Sequence, residues 1–257
     1  DRVGFIWIGT ENGLDRYDGS SVWNVPGTRM HITAVTGDRE GTIWAATKDK
    51  GLLRVDPEKG IDRVFRAGDT TGAPIGSDLL TALYDLNDTT LLIGAREGAL
   101  FFLDKRTFTC THWADSLDLS PDRGRSASPH AQDWCHAITP LNDTLLWIGF
   151  LHSGRSLLVD RRTLLTLRQL TIRREGSESQ TCAALLGDTL FSGGWQNDID
   201  AVGLVPDAGT RFAPTPFRRL PIPDEVNTLI RWDEHHLLAG SRGIGLYMVD
   251  VRTGATR

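Results

Sequence analysis

Basic residues are in the minority in this chain of 257 residues: 28 Lys and Arg stand against 33 Asp and Glu, a formal net charge of -5. With an isoelectric point near 5.8 and no basic stripe, the composition argues against general affinity for nucleic-acid phosphates or anionic lipid. Long apolar runs are also missing. No stretch reaches the roughly 18 residues a spanning helix needs, and the N-terminus lacks a charged segment followed by an apolar one. Cysteine is scarce: Cys110, Cys135 and Cys182 lie far apart without metal-ligand spacing, and an odd number cannot all pair. They read as buried small hydrophobes. No window sustains a 3.6-residue period, which excludes a helical solenoid. A nucleophile elbow, a phosphate loop and a metal-binding histidine pair are absent. GSRGIG at 240 to 245 lacks the strand-to-helix context of a phosphate cradle, and the adjacent His235 and His236 point to opposite faces of a strand. The expectation is no catalytic residue, no metal and no cofactor.

What is present is a repeat. Six hydrophobic strands end on a small residue, at Gly9, Ala46, Gly94, Gly149, Gly193 and Gly240, with spacings of 37, 48, 55, 44 and 47. Each is followed by an aspartate, Asp18, Asp56, Asp104, Asp160, Asp207 and Asp250, at offsets of 9, 10, 10, 11, 14 and 10. A period in this range marks a repeat architecture. The hydrophobic share of 40% supports a sizeable core, and an even spread of repeats favours one domain over residues 1 to 257.

The clearest unit is LNDTLLWIGFLHSGRSLLVDRR at 141 to 162. Asn142 and Asp143 supply turn chemistry, Leu145 to Gly149 reads as a buried strand, and Ser156 to Asp160 follows as a second strand after the loop 152 to 154. Asp160 to Thr163 turns the chain, and Leu164 to Ile172 has the polar face of an outer edge. A further strand precedes each unit, at 32 to 36, 80 to 86, 134 to 139, 182 to 186 and 226 to 232. The unit is therefore a four-stranded meander. Equal repeats favour an all-β propeller over a sandwich, with each sheet a blade and glycine admitting the neighbouring backbone. The chain opens on the second strand of a blade and closes on the third strand of another. Six repeats are visible, and targeting signals are expected outside this stretch.

IWIGTENGLDRYDG at 6 to 19 resembles the short propeller repeat of two-component regulators, matching it at Asp1, Gly4, Ile6, Trp7, Ile8, Gly9, Thr10, Gly13, Leu14, Tyr17 and Asp18. GTIWAATKDKGLLRVD at 41 to 56 is a second match with Ala46 for the glycine, and LLWIGF at 145 to 150 keeps the Trp and Gly. The resemblance implies the periplasmic sensor region of a Bacteroidetes-type hybrid histidine kinase, and, since propellers of that family are usually seven-bladed, that the six repeats are part of a seven-bladed ring, the alternative being a six-bladed or open one. On that basis the expected function is noncatalytic, extracytoplasmic sensing of a glycan fragment, within a membrane-anchored sensor. Kinase activity would lie outside this stretch. The alternatives are a propeller-type glycan lyase or hydrolase, with Glu97, Asp133 and Asp198 as carboxylates, or a protein-binding scaffold. Expected partners are a small molecule or oligosaccharide, with a homodimer left open. Neither nucleic acid nor membrane contact by this stretch is expected.

The ligand-binding face of a propeller carries the loops between second and third strands. Here these hold Arg96 and Glu97; His152 and Arg155; Trp195, Gln196, Asn197 and Asp198; and Arg242. Trp195 beside amide and carboxylate groups is what a sugar site uses, an apolar face to stack on and polar forks for hydroxyls. His152 and Arg155 add hydrogen bonds or a match for an acidic saccharide. Aligned inner strands place Thr33, Thr81, His136, Cys182 and Asn227 in one ring, where His136 can sense pH or touch ligand. The long connection from 115 to 133 and the stretched offset before Asp207 mark where added function is expected.

Overall fold

The computed structural model describes residues 1–70, 74–96, 99–113, 133–152, 154–171, 179–206, 212–214 and 218–257. Glu97, Asp207 and residues 115–132 of the long connection lie outside them. Every secondary-structure element among the described residues is a strand, and the strands form six meandering antiparallel sheets. The chain divides into two compact units, Asp1–Cys135 and His136–Arg257.

The first unit holds β1 (Ile6–Thr10), β2 (Gly13–Tyr17) and β3 (Val22–Asn24) in one sheet. β4 (Ile32–Gly37), β5 (Ile43–Thr47), β6 (Leu52–Asp56) and β7 (Gly60–Phe65) form the second. β8 (Leu80–Asp85), β9 (Thr90–Ala95), β10 (Leu100–Asp104) and β11 (Cys110–His112) form the third. After the sheet β12 (Cys135–Pro140), β13 (Leu145–Phe150), β14 (Arg155–Asp160) and β15 (Thr166–Thr171) come five strands: β16 (Cys182–Leu186), β17 (Thr189–Gly193), β18 (Asp198–Pro206), β19 (Phe212–Pro214) and β20 (Arg218–Pro221). The last sheet is β21 (Val226–Arg231), β22 (His236–Ser241) and β23 (Leu246–Asp250). The first and last sheets have three strands, as the sequence pattern predicts.

One departure is informative. The 14-residue offset before Asp207 comes from a nine-residue β18, whose two ends pair with different partners: Asp198 to Ala201 with β20 and Leu204 to Pro206 with β19. The outer edge expected as one strand is two.

Two aspartate devices recur among the repeats. The Oδ1 atoms of Asp18, Asp56, Asp104, Asp160 and Asp250 each accept the backbone N–H groups two and three residues on. These bonds close the turn between middle and outer strands, and they favour the ionised carboxylate. Those donors hold the acids below the usual range, at about 2 for Asp18 and Asp250. The second device precedes the buried strand. Asp38 Oδ1 accepts the N–H groups of Glu40 and Thr42 while its Oδ2 accepts Trp44 Nε1–H at 2.9 Å. Asp1 does the same for Val3, Gly4, Phe5 and, at 2.7 Å, Trp7 Nε1–H. The aspartate, glycine and tryptophan of the signature are thus one hydrogen-bonded turn.

Glycine at the end of the buried strand serves packing between sheets. A Cβ on Gly9 would stand 2.7 Å from Ile32 Cγ2, and one on Gly193 would stand 2.8 Å from Val226 Cβ. Ile32 and Val226 each open the inner strand of the following sheet, so the missing side chain seats that residue. Side-chain donors reinforce the contact: Thr33 Oγ1 donates to Leu80 O at 2.9 Å, Thr81 Oγ1 to Cys135 O, and Thr181 Oγ1 and Cys182 Sγ both to Val226 O. Thr33, Thr81 and Cys182 of the aligned ring therefore spend their donors on backbone.

The core of the first unit includes Trp44, Phe65, Leu80, Leu91, Ile93 and Leu103, and that of the second includes Phe191, Ile199, Val226, Leu237 and Val249. Within the first unit Lys105 Nζ lies 2.7 Å from Asp85 Oδ1 and 3.8 Å from Asp38 Oδ2, with all three side chains at most 14% exposed. Burial raises the Asp85 carboxyl, opposed by the Lys105 ammonium.

Candidate functional site

Three successive hairpin loops of the second unit bring His152, Trp195 and Arg242 together. The Trp195 ring meets the His152 ring edge-on at a centroid distance of 6.4 Å, and the Arg242 guanidinium lies 5.6 Å from the Trp195 centroid. Trp195 itself stays 36% exposed.

The loops carrying Trp195 and Arg242 are tied to the backbone that leads into an inner strand. Trp195 N–H donates to Ser179 Oγ at 2.7 Å and Gln196 Nε2 to Ser179 O at 3.3 Å. Gly194 is required beneath them, since a Cβ there would collide with the Ser179 carbonyl. Val226 N–H donates to Gly194 O, and Ile222 N–H to Asn197 O. Around Arg242, Asp224 Oδ2 accepts Gly243 and Ile244 N–H, while Ser241 Oγ accepts Ile244 and Gly245 N–H. Arg242 Nη1 reaches Glu225 Oε2 at 2.9 Å, and this bond raises its pKa. His152 has a φ of 106°, a region L residues rarely occupy.

The remaining residues fall elsewhere. Arg155 opens β14, is 5% exposed and stacks on Phe150 at 4.3 Å, so it belongs to the interior. His136 is half-buried; burial first, and then the His152 imidazole, lower its pKa. Asn197 is exposed and Asp198 half-buried. In the first unit Arg96 stacks on Trp134 at 4.0 Å, and Asp133 is buried. Among the described residues, no three His, Cys, Asp or Glu side chains converge as metal ligands, and no helix is long and apolar enough to cross a membrane.

Sequence reasoning missed Ser179, Asp224 and Glu225. Their only signal is position, in the two or three residues before an inner strand. It also took Trp7 only as a position of the repeat signature, whereas Trp7, Arg16 and Trp23 line a cleft of about 280 Å³ in the first unit.

No family model matches the chain, and no curated protein matches it. Solved structures do. The β-propeller domain of Cps50 (Swd1) from Myceliophteria thermophila superposes over all of this chain and 82% of its own length, with 15% identity and a TM-score of 0.69. The extracellular domain of the one component system BT4673 from B. thetaiotaomicron is matched over all of this chain, at 15% identity and a TM-score of 0.65, but the chain spans only 35% of it. The WD40 repeats of RRP9 match 92% of the chain at 13% identity and a TM-score of 0.63. The fold is a β-propeller.

Proposed function

We propose that this propeller is the noncatalytic ligand-sensing region of an extracytoplasmic, membrane-anchored two-component sensor, and that it reads a glycan fragment through Trp195. One observation carries the reading: a partly exposed indole framed by the His152 edge and the Arg242 guanidinium. A pyranose offers an apolar face to such a ring and hydroxyls to the groups around it. The two-component repeat signature at 1 to 18, and the likeness to an extracellular domain of a one component system, support the setting. The Arg242 charge is already matched by Glu225, and Arg155 is buried, which favours a neutral sugar over an acidic one.

The test is a thermal-shift screen against neutral and acidic oligosaccharides, because a ligand that favours the folded state raises the melting temperature. A shift with a neutral glycan that Trp195→Ala weakens about tenfold, at unchanged stability, supports the reading. Undiminished binding by Trp195→Ala sinks the site. Turnover of the glycan would establish an enzyme instead.

A further inference from the structure

We propose a second saccharide-binding site in the cleft between the first and second sheets of the first unit, at the strand ends opposite the β1–β2 and β5–β6 hairpins. Its back wall is a cross-strand row. Trp7 on β1 pairs in register with Arg16 on β2, and Arg16 with Trp23 on β3, so the three side chains share the face turned to the second sheet. Two inter-strand steps separate the tryptophan backbones by about 10 Å, on the scale of a disaccharide. The opposite wall is the β6–β7 turn, Asp56 to Gly60. Arg16 Nη1 joins the walls by donating to Pro57 O at 2.9 Å, while its guanidinium stacks 4.5 Å over Phe5.

The hydrogen bonds of the tryptophans select the ligand class. Trp7 Nε1–H is taken by Asp1 Oδ2 at 2.7 Å and Trp23 Nε1–H by Asp18 Oδ2 at 3.4 Å. Neither indole is left to donate to a peptide carbonyl, as aromatic grooves for extended proline-rich segments require. What remains is ring surface, with Trp23 58% exposed. Beside it stand Asn24, Glu58 and Lys59 as groups for hydroxyls. The cleft holds two cations, Arg16 and Lys59, and two anions, Asp56 and Glu58, so its formal charge is zero and its ligand neutral. Because both indoles are held by aspartates of the repeat, the site is preformed and little ordering opposes binding.

The experiment uses the full chain with its eight tryptophans replaced by fluorotryptophan, each resonance assigned by single Trp→Phe substitution. Neutral tetrasaccharides of glucose, xylose, mannose and arabinose are titrated in turn, followed by a proline-rich decapeptide. At least one saccharide is expected to shift the Trp23 resonance, and Trp23→Ala to weaken that binding about tenfold. Glu58→Ala, on an exposed turn, should weaken it several-fold without changing the melting temperature, and it serves if Trp23→Ala fails to fold. A Trp23 resonance that no saccharide moves at millimolar concentration overturns the proposal, as does one moved only by the peptide. Unchanged affinity in a folded Trp23→Ala also overturns it. The Trp195 resonance reports separately: its silence, with Trp23 responding, removes the Trp195 site and leaves this one standing.

Discussion

Trp44 and Trp147 occupy the same place in their repeats and are equally buried, yet their indoles differ. Trp44 Nε1–H is held by Asp38, six positions earlier, across the turn between them. In the fourth sheet the turn is one residue shorter. Asn142 caps it through Thr144 and Leu145 N–H, and among the described residues Trp147 Nε1 has no hydrogen-bond partner. The third sheet has the same short turn, on Asn87, and carries Leu92 where the tryptophan stood. The repeat therefore conserves two separable jobs, closing a turn and anchoring a ring. Where the turn shortens, only the first survives.

Breaking the two turns should show this most strongly. Asp38→Ala removes two backbone caps, the indole acceptor and one carboxylate beside buried Lys105. We expect a loss of about 3 kcal/mol in urea unfolding, against about 1 kcal/mol for Asn142→Ala. Equal losses would mean that the turns do the same work. Next in size is Gly149→Ala, which places a methyl against the Trp147 ring and the Gln180 carbonyl and should cost about 1 to 3 kcal/mol. A neutral result would show that this repeat, lacking its anchor, yields. Trp44→Phe and Trp147→Phe lose the same volume, so the excess cost of the first isolates the aspartate bond, at about 1 to 2 kcal/mol.

The smallest effect separates the other aspartate device from the first. Asp18 and Asp250 titrate at about 2 in the folded protein against about 3.9 unfolded. Their contribution is complete above roughly pH 5 and is lost as pH falls through 4 towards 2. Asp85, raised by burial, has the opposite sign: its contribution is present at low pH and lost as pH rises through its folded value. Denaturation midpoints between pH 5 and 2 should therefore fall, and Asp250→Asn should flatten the slope. An unchanged slope would place the lowered acids outside the stability of the fold.

The repeat was legible because its causes are local. An aspartate that caps the second and third residues after it, and a glycine that must end a buried strand, leave their marks within a few positions. The hairpin loops followed from counting along that pattern, which is how His152, Trp195 and Arg242 were placed on them. Arg155 shows the limit of counting. Read as loop, it is instead the first residue of β14, and that single step turns a solvent-facing side chain into a buried one. The Lys105 cluster joins three elements far apart in sequence, and the cleft at Trp23 needs the register of three strands and the turn of another sheet. Neither has a one-dimensional trace.

The seating of one sheet's glycine by the next sheet's first inner residue also sets an order in time. As the chain emerges from its N-terminus, the slot at Gly9 stays empty until Ile32 arrives, and that at Gly193 until Val226 does. The sheets ending on Gly9 and Gly193 would thus complete their packing one repeat late, each against its successor. A nascent chain halted between two repeats would therefore end in an unseated sheet, and protease sensitivity along stalled chains should fall in steps of one repeat.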